Sequence, residues 1–174
     1  MEKDIALVLF YHKQNRYSFN ALVGALETDQ YLSDLPIYFL NKKEELFSEL
    51  NNIIKKHEKV VLGVSFFTTQ LWDTRKIIKD LKKEYKNSIL FIAGGPHPTG
   101  DPTGTLKMGF DIVVVGEGED TIKELLSIEL STDWAQIKGI AYFDRNGEYI
   151  FTGRRHFVNL NNYPPFAIEH GKIQ

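Results

Sequence analysis

Cysteine is absent from this chain of 174 residues. Its absence excludes disulfides, thiolate nucleophiles, zinc knuckles and cysteine-ligated iron–sulfur clusters from the chain itself. An excess of one charge is also missing, because 21 lysines and arginines stand against 23 aspartates and glutamates, for a net charge of −2. There is no sequence-wide basic field to attract nucleic acid or an anionic membrane. No apolar run approaches the roughly 20 residues of a membrane span, and the start shows no signal-peptide cleavage site. We therefore expect a cytoplasmic protein.

The common motifs of catalytic and nucleotide-binding sites are missing as well. The sequence contains no G-x-G-x-x-G, and residues 11–16, which follow the first apolar run, include no glycine, which argues against NAD binding and against a P-loop. It contains no G-x-S-x-G elbow, and its five histidines show neither H-x-x-x-H nor H-E-x-x-H spacing. The sequence therefore gives no support to a hydrolase or to a histidine-based metal site.

Short apolar runs alternate with amphipathic segments over most of the chain. The runs, rich in β-branched and aromatic residues, predict five strands at 5–10, 36–40, 60–66, 89–93 and 112–115. Helical spacing predicts helices at 18–28, 42–56, 69–85, 102–108 and 121–130. Asn41 and Glu44 suggest a capping box for the second helix, and Asp101 before Pro102 suggests an N-cap. Strictly alternating elements predict an α/β fold with a doubly wound, mostly parallel, five-stranded sheet.

The alternation stops after residue 130. Two short apolar runs at 139–143 and 148–151 flank the sequence Asp-Arg-Asn-Gly, which predicts a β-hairpin with Asn-Gly in its turn. Residues 152–174 have neither helical nor strand periodicity and read as a linker. We therefore divide the chain into an α/β domain at 1–138 and a hairpin with linker at 139–174.

Candidate ligand-binding residues follow the third, fourth and fifth strands. Ligands of doubly wound sheets bind at the carboxyl ends of the strands, and glycines there let the backbone approach a flat ligand. The fourth strand is followed by Gly-Gly-Pro-His-Pro at 94–98, which we expect to be a rigid loop, and the fifth by Gly-Glu-Gly-Glu-Asp at 116–120. The acidic residues of the latter disfavour a nucleotide phosphate. Gly63 and small residues of the first helix leave space for a ligand tail between sheet and helix, although close helix–sheet packing explains them as well.

Together these segments resemble the amino-terminal cobalamin-binding-type domain of radical S-adenosylmethionine enzymes. The resemblance lies in 60–67, 93–99, 109–119, the hairpin 139–151 and the linker 160–165, in that order. It implies a flavodoxin-like domain that holds corrin or caps a following barrel, without a catalytic residue of its own. The [4Fe–4S] cluster and S-adenosylmethionine would belong to that barrel, our expected partner, whose CxxxCxxC motif is absent here. We accordingly expect an isolated domain that ends shortly before the cluster loop of an enzyme.

The resemblance also points to the residues that would contact cobalamin. Eleven residues at the strand ends match: Ser65, Phe67, Thr68, Gly94, Gly95, Pro96, His97, Gly116, Glu117, Gly118 and Glu119. Domains of the methyltransferase and mutase type carry a cobalt-binding histidine in D-x-H-x-x-G, of which this chain keeps only His12. We therefore expect cobalt to receive no ligand from this motif. Two alternatives stay open: a structural or interaction domain without ligand, and a flavodoxin-like binder of another small molecule such as flavin.

Overall fold

The five predicted strands lie side by side in one sheet, which the predicted hairpin extends. The computed structural model describes residues 4–12, 15–86, 88–127 and 134–156. Its strand order is β2-β1-β3-β4-β5-β6-β7. Strands one to five are parallel and the last two antiparallel. Their bounds are β1 Ile5–Tyr11, β2 Ile37–Leu40, β3 Lys59–Ser65, β4 Ile89–Gly94, β5 Ile112–Val114, β6 Ile140–Phe143 and β7 Tyr149–Phe151.

The order 2-1-3-4-5 is the flavodoxin-like arrangement, with a switch point between β1 and β3. The predicted fold class is thus confirmed. Because β6 pairs with β5, the hairpin continues the same sheet. The domain boundary at 138 stays a prediction, and most of the predicted linker, at 157–174, lies outside the described residues.

Helices cover both faces of the sheet, and all but α4 lie near their predicted positions. They are α1 Arg16–Glu27, α2 Lys43–Ile54, α3 Leu71–Tyr85, α4 Pro96–Gly100, α5 Pro102–Leu106 and α6 Glu119–Ser127. Single 3₁₀ turns occupy Thr68–Gln70 and Trp134–Gln136. The predicted end of the last helix, at 128–130, lies outside the described residues. None of the helices in the described ranges is long and apolar enough to cross a membrane.

Two local predictions were wrong and one is confirmed. The N-cap of α2 is Lys42 and not Asn41, and no side chain makes a capping bond there. Asn41 instead turns to the end of β1, where its Nδ2 donates to the Tyr11 hydroxyl at 3.2 Å. The rigid loop expected after β4 contains the one-turn helix α4, since Pro96 at its first position has the φ that a helix needs. The Asp101 N-cap is confirmed, with Oδ1 accepting from the Gly104 amide at 2.8 Å.

Alternation along the buried strands creates two hydrophobic cores. From β1, Val8 and Phe10 pack on one face with side chains of α2, α3 and α5. Leu7 and Leu9 pack on the other face with α1 and α6. All seven side chains of β1 are buried, which explains why its sequence shows a continuous apolar run rather than an alternation. The helix pair α1 and α6 therefore sits over the ends of four parallel strands on one face.

Asp111, just before β5, connects α3 to the sheet through an ion pair and a hydrogen bond. Its Oδ1 and Oδ2 accept from Lys82 Nζ at 2.6 and 2.8 Å, and Oδ2 also accepts from the Phe91 amide at 2.8 Å. Lys82 Nζ lies 4.4 Å from the centre of the Phe91 ring. The side chains of Lys82 and Asp111 are 19% and 31% exposed, so solvent screens the pair only in part.

We expect Asp111→Ala to lower the free energy of unfolding by about 2 to 3 kcal/mol, because it leaves a partly buried ammonium and a strand amide without their acceptor. Urea unfolding measures this. The control is Glu45→Ala, which removes an equally short ion pair to Lys42 whose side chains are 54% and 64% exposed. That variant should change stability by less than about 0.5 kcal/mol. Equal losses in the two variants would contradict the role given to Asp111.

Candidate functional site

A cavity of about 160 Å³ opens at the carboxyl ends of β1, β3, β4 and β5, beneath the first turns of α1 and α6. It lies at the switch point between β1 and β3, where doubly wound sheets bind their ligands. Its lining is mostly apolar, with polar groups near the strand ends. The lining residues are Leu7, Leu9, Ser18, Phe19, Leu22, Gly63, Val64, Ser65, Ile92, Ala93, Gly94, Gly95, Val114, Gly116, Gly118, Glu119 and Ile122.

Three glycines keep this cavity open because a side chain on any of them would enter it or press on its wall. A Cβ on Gly118 would lie 3.7 Å from both Leu22 Cδ1 and Val114 Cγ1, at ordinary contact distance. A Cβ on Gly94 would lie 4.0 Å from Val114 Cβ. On Gly63, a Cβ would meet Leu9 Cδ2 at 3.0 Å. The absence of side chains at these positions creates the space that a ligand would fill.

Gly95 has a different role, because it lets the ends of β3 and β4 come together. Its φ is +98°, and a Cβ there would lie 2.7 Å from Ser65 Oγ and 3.2 Å from the Phe66 backbone nitrogen. The Phe66 amide donates to Gly94 O at 3.3 Å, and Phe66 O accepts from the His97 amide at the same distance. The Ser65 hydroxyl is thereby held against the backbone at the rim of the cavity.

Two polar oxygens at this edge are buried without a hydrogen-bond partner in the described part of the chain. One is Glu119 Oε2, on a residue that lines the cavity. The other is Asn15 Oδ1, whose side chain also donates through Nδ2 to Ser65 O at 2.5 Å. A buried acceptor without a donor costs free energy, so both atoms suit a ligand that brings N–H or O–H groups. The acidic side chain of Glu119 disfavours a phosphomonoester at the same place.

Six of the eleven predicted residues line the cavity: Ser65, Gly94, Gly95, Gly116, Gly118 and Glu119. The other five lie around it on the same edge. Thr68 Oγ1 and His97 Nδ1 are 3.0 Å apart, and the His97 ring centre lies 5.3 Å from that of Phe66. Phe67, Pro96 and Glu117 are exposed beside them. The assignment of all eleven to a cofactor stays a prediction.

His12 follows β1 and points away from the cavity. Its ring lies 6.0 Å from that of Phe10, which belongs to the core on the opposite face of the sheet. Burial lowers the pKa of His12, and the nearby Asp73 carboxylate offsets this in part. Its Nε2 is buried with no partner among the described residues. The imidazole is thus neutral over more of the pH range. The expectation that this motif supplies no ligand to cobalt stays a prediction.

Sequence reasoning expected the first helix beside a ligand tail, but not the residues that form this wall. Gly63 lines the cavity, whereas the small residues Ala21, Gly24 and Ala25 of α1 do not. Ser18, Phe19 and Leu22 of α1 and Ile122 of α6 line the cavity, and Asn15 braces its rim. The available signal was a pair of polar residues at the start of an otherwise apolar helix face: Asn15 at the N-cap of α1 and Ser18 in its first turn. In the described ranges, no three histidine, aspartate or glutamate side chains come together as metal ligands.

A doubly wound sheet with an apolar cavity at its switch point places this chain in a class, the flavodoxin-like domains. The comparison with known families is more specific. The sequence profile of the B12 binding domain matches residues 16–126, well over half of the chain. The chain therefore belongs to the B12-binding domain family, which confirms the resemblance drawn from its motifs.

Curated relatives share part of this sequence. An uncharacterized methyltransferase, PH0819, from Pyrococcus horikoshii is 33% identical over 96 residues, which cover 54% of this chain and 20% of the relative. The cobalamin-dependent radical SAM methyltransferase TokK from Streptomyces tokunonensis is 28% identical over 141 residues, 73% of this chain and 20% of TokK. The chain thus spans about a fifth of the length of these relatives.

Solved structures share the fold. The cobalamin-dependent S-adenosylmethionine radical enzyme OxsB, with aqua-cobalamin bound, superposes with a TM-score of 0.67 at 18% identity, over 88% of this chain and 22% of OxsB. The radical S-adenosylmethionine methyltransferase TsrM from Kitasatospora setae, with cobalamin and a [4Fe–4S] cluster bound, gives 0.69 at 17% identity, over 91% of this chain and 30% of TsrM. Most of each of these enzymes lies outside the shared domain.

Proposed function

We propose that this chain binds cobalamin at the carboxyl edge of its sheet, as the accessory domain of a radical S-adenosylmethionine enzyme. The observation that carries the proposal is the cavity at the switch point, kept open by Gly63, Gly94 and Gly118 in a chain of the B12-binding family. The cluster, S-adenosylmethionine and the catalytic residues would lie in a barrel elsewhere in the parent enzyme, with which this domain would be in contact. Bound cobalamin would supply a cobalt centre for methyl or radical transfer.

The volume of the cavity indicates that only one part of a cobalamin molecule would enter it. About 160 Å³ is far too small for a corrin ring but similar to a 150 Å³ protein cavity that binds benzene. The cavity would therefore take the flat lower base at the end of the cobalamin tail. The corrin would lie outside, over the exposed edge that carries Phe67, Pro96 and His97.

The polar groups at the edge fit cobalamin better than a nucleotide cofactor. Corrin carries neutral amide side chains and its tail a ribose hydroxyl, all of which can donate hydrogen bonds. Glu119 Oε2 and Asn15 Oδ1 are buried acceptors without donors among the described residues, so they match such groups. Flavin mononucleotide would bring a doubly charged phosphomonoester toward Glu117 and Glu119, whereas the phosphodiester of the cobalamin tail carries a single charge, so repulsion disfavours flavin mononucleotide more.

The experiment is a visible-absorbance titration of the 174-residue chain with hydroxocobalamin and methylcobalamin. We expect a saturable spectral change, because withdrawal of the lower base into the cavity removes it from cobalt. Flavin mononucleotide serves as the control ligand and should give no saturable change. The absence of any response at high micromolar cobalamin would contradict the proposal and favour a domain that only docks the rest of its parent enzyme.

A further inference from the structure

The cavity changes character with depth. At its rim, the strands present Ser65 and Gly94 at the same level, and α6 contributes Glu119. Two residues earlier along the strands, the paired positions are Leu9, Gly63 and Ile92. The interior is closed by apolar side chains of the two helices, Phe19, Leu22 and Ile122. The remaining polar lining residue, Ser18, is exposed in the first turn of α1, so a ligand that enters from the rim passes from polar into apolar surroundings.

The backbone around the interior offers no partner either. At this depth β3 pairs with β1 on one side and with β4 on the other, so the backbone groups of Gly63 are engaged in the sheet. The side chains of Leu9, Ile92 and Ile122 are at most 4% exposed. A hydroxyl or amino group carried to this depth would lose its water and gain no hydrogen bond.

We infer that this interior selects among cobamides by the chemistry of their lower base. The inference rests on the proposed function, in which the base enters the cavity with its sugar near the rim. The outer edge of the base, away from the sugar, then faces Leu9, Ile92 and Ile122. Bases with an apolar outer edge, such as 5-methyl- or 5,6-dimethylbenzimidazole, are accepted. Bases with a hydrogen-bond donor there, such as 5-hydroxybenzimidazole, are disfavoured.

A matched pair of ligands tests the inference directly. 5-Methylbenzimidazolylcobamide and 5-hydroxybenzimidazolylcobamide differ by a methyl and a hydroxyl group of similar size. We expect the 174-residue chain to bind the hydroxyl form about tenfold to a hundredfold more weakly in equilibrium titrations, the range that one unsatisfied buried polar group produces. Dissociation constants within about threefold of each other, or tighter binding of the hydroxyl form, would overturn the inference.

Binding of cobinamide, which lacks the lower base, is measured beside that of the two cobamides. The three titrations together test cobalamin binding separately from selection of the base. Failure of cobinamide and of both cobamides to bind would overturn the proposed function, and the selectivity with it. If both cobamides bind equally well, cobalamin binding stands and the selectivity is wrong.

Leu22 offers a variant that should change the preference. It is only partly buried, and glutamine is well tolerated in a helix such as α1. Leu22→Gln places an amide beside the base, so we expect the ratio between the two cobamides to fall to about threefold or less. The control Leu22→Met keeps the wall apolar at similar volume and should preserve the wild-type ratio. An unchanged ratio in the glutamine variant would show that the apolar lining is not what selects the base.

Discussion

The variant Gly118→Leu is expected to keep the fold and to lose about a hundredfold or more of the affinity for cobalamin. The position has room for a side chain, because its Cβ would lie 3.7 Å from Leu22 and from Val114, with no closer atom. Those two residues are walls of the cavity, so the remaining carbons of the leucine occupy the space proposed for the lower base. A hundredfold loss corresponds to about 2.7 kcal/mol of binding free energy. Because Gly118 precedes α6, the fold should lose only about 1 kcal/mol.

The matched control for this variant is Gly100→Leu. Gly100 is exposed at the end of α4, and no atom lies within 4 Å of a Cβ built there. It belongs to the same end of the sheet but does not line the cavity, so affinity should stay within about twofold of wild type. Titration by visible absorbance and thermal unfolding by circular dichroism measure both effects. Wild-type affinity in Gly118→Leu would show that cobalamin does not use this cavity.

The second large effect concerns Gly95, where we expect an alanine to cost about 3 to 5 kcal/mol of folding stability. A non-glycine residue at φ +98° costs about 1 to 2 kcal/mol by itself. The methyl group would also meet Ser65 Oγ at 2.7 Å and the Phe66 backbone nitrogen and oxygen at 3.2 and 3.3 Å. Those backbone atoms cannot move without breaking the bonds that Phe66 makes to Gly94 and His97.

Gly147→Ala separates the backbone penalty from the steric one. Gly147 lies in the hairpin turn at φ +81°, and a Cβ there would meet nothing within 4 Å. Urea unfolding of this variant should therefore show only the conformational cost, about 1 to 2 kcal/mol. If Gly95→Ala and Gly147→Ala lose the same stability, the close approach of β3 and β4 at Gly95 is not what requires glycine.

Predictions from the sequence were most successful where the structure depends on neighbouring residues. Strands buried on both faces produce continuous apolar runs, so β1 and β3 could be located to within a residue or two. The Asn-Gly signal located the hairpin turn, in which Asp144 Oδ1 also accepts from the amides of Asn146 and Glu148, both at 2.8 Å. The errors at Asn41 and after β4 arose because a short polar or proline-rich segment can satisfy its backbone in several ways, and distant contacts choose among them.

The individual residues of the candidate site could be predicted only along the strands, although the sequence also indicated the first helix as a neighbour of the ligand. Six of the residues chosen from the strand-end motifs line the cavity, since parallel strands bring their carboxyl ends to one edge. Its other wall comes from α1 and α6, which are about 100 residues apart in the chain. No local pattern states that Leu22 faces Gly118 or that Asn15 bonds to Ser65.

The sequence by itself determined the alternation of strands and helices and the parallel sheet that this alternation requires. It also determined the edge of the sheet, at the carboxyl ends of the strands, where a ligand would bind. These follow from periodicity, turn chemistry and the handedness of crossovers, which are local properties of the chain. Only the tertiary structure decided that the hairpin joins the sheet and that α1 and α6 close over the switch point. It also showed that the cavity is polar at its rim and apolar in its interior. A cavity is the space left by residues that are distant in sequence, so its volume and lining depend on how the elements pack together.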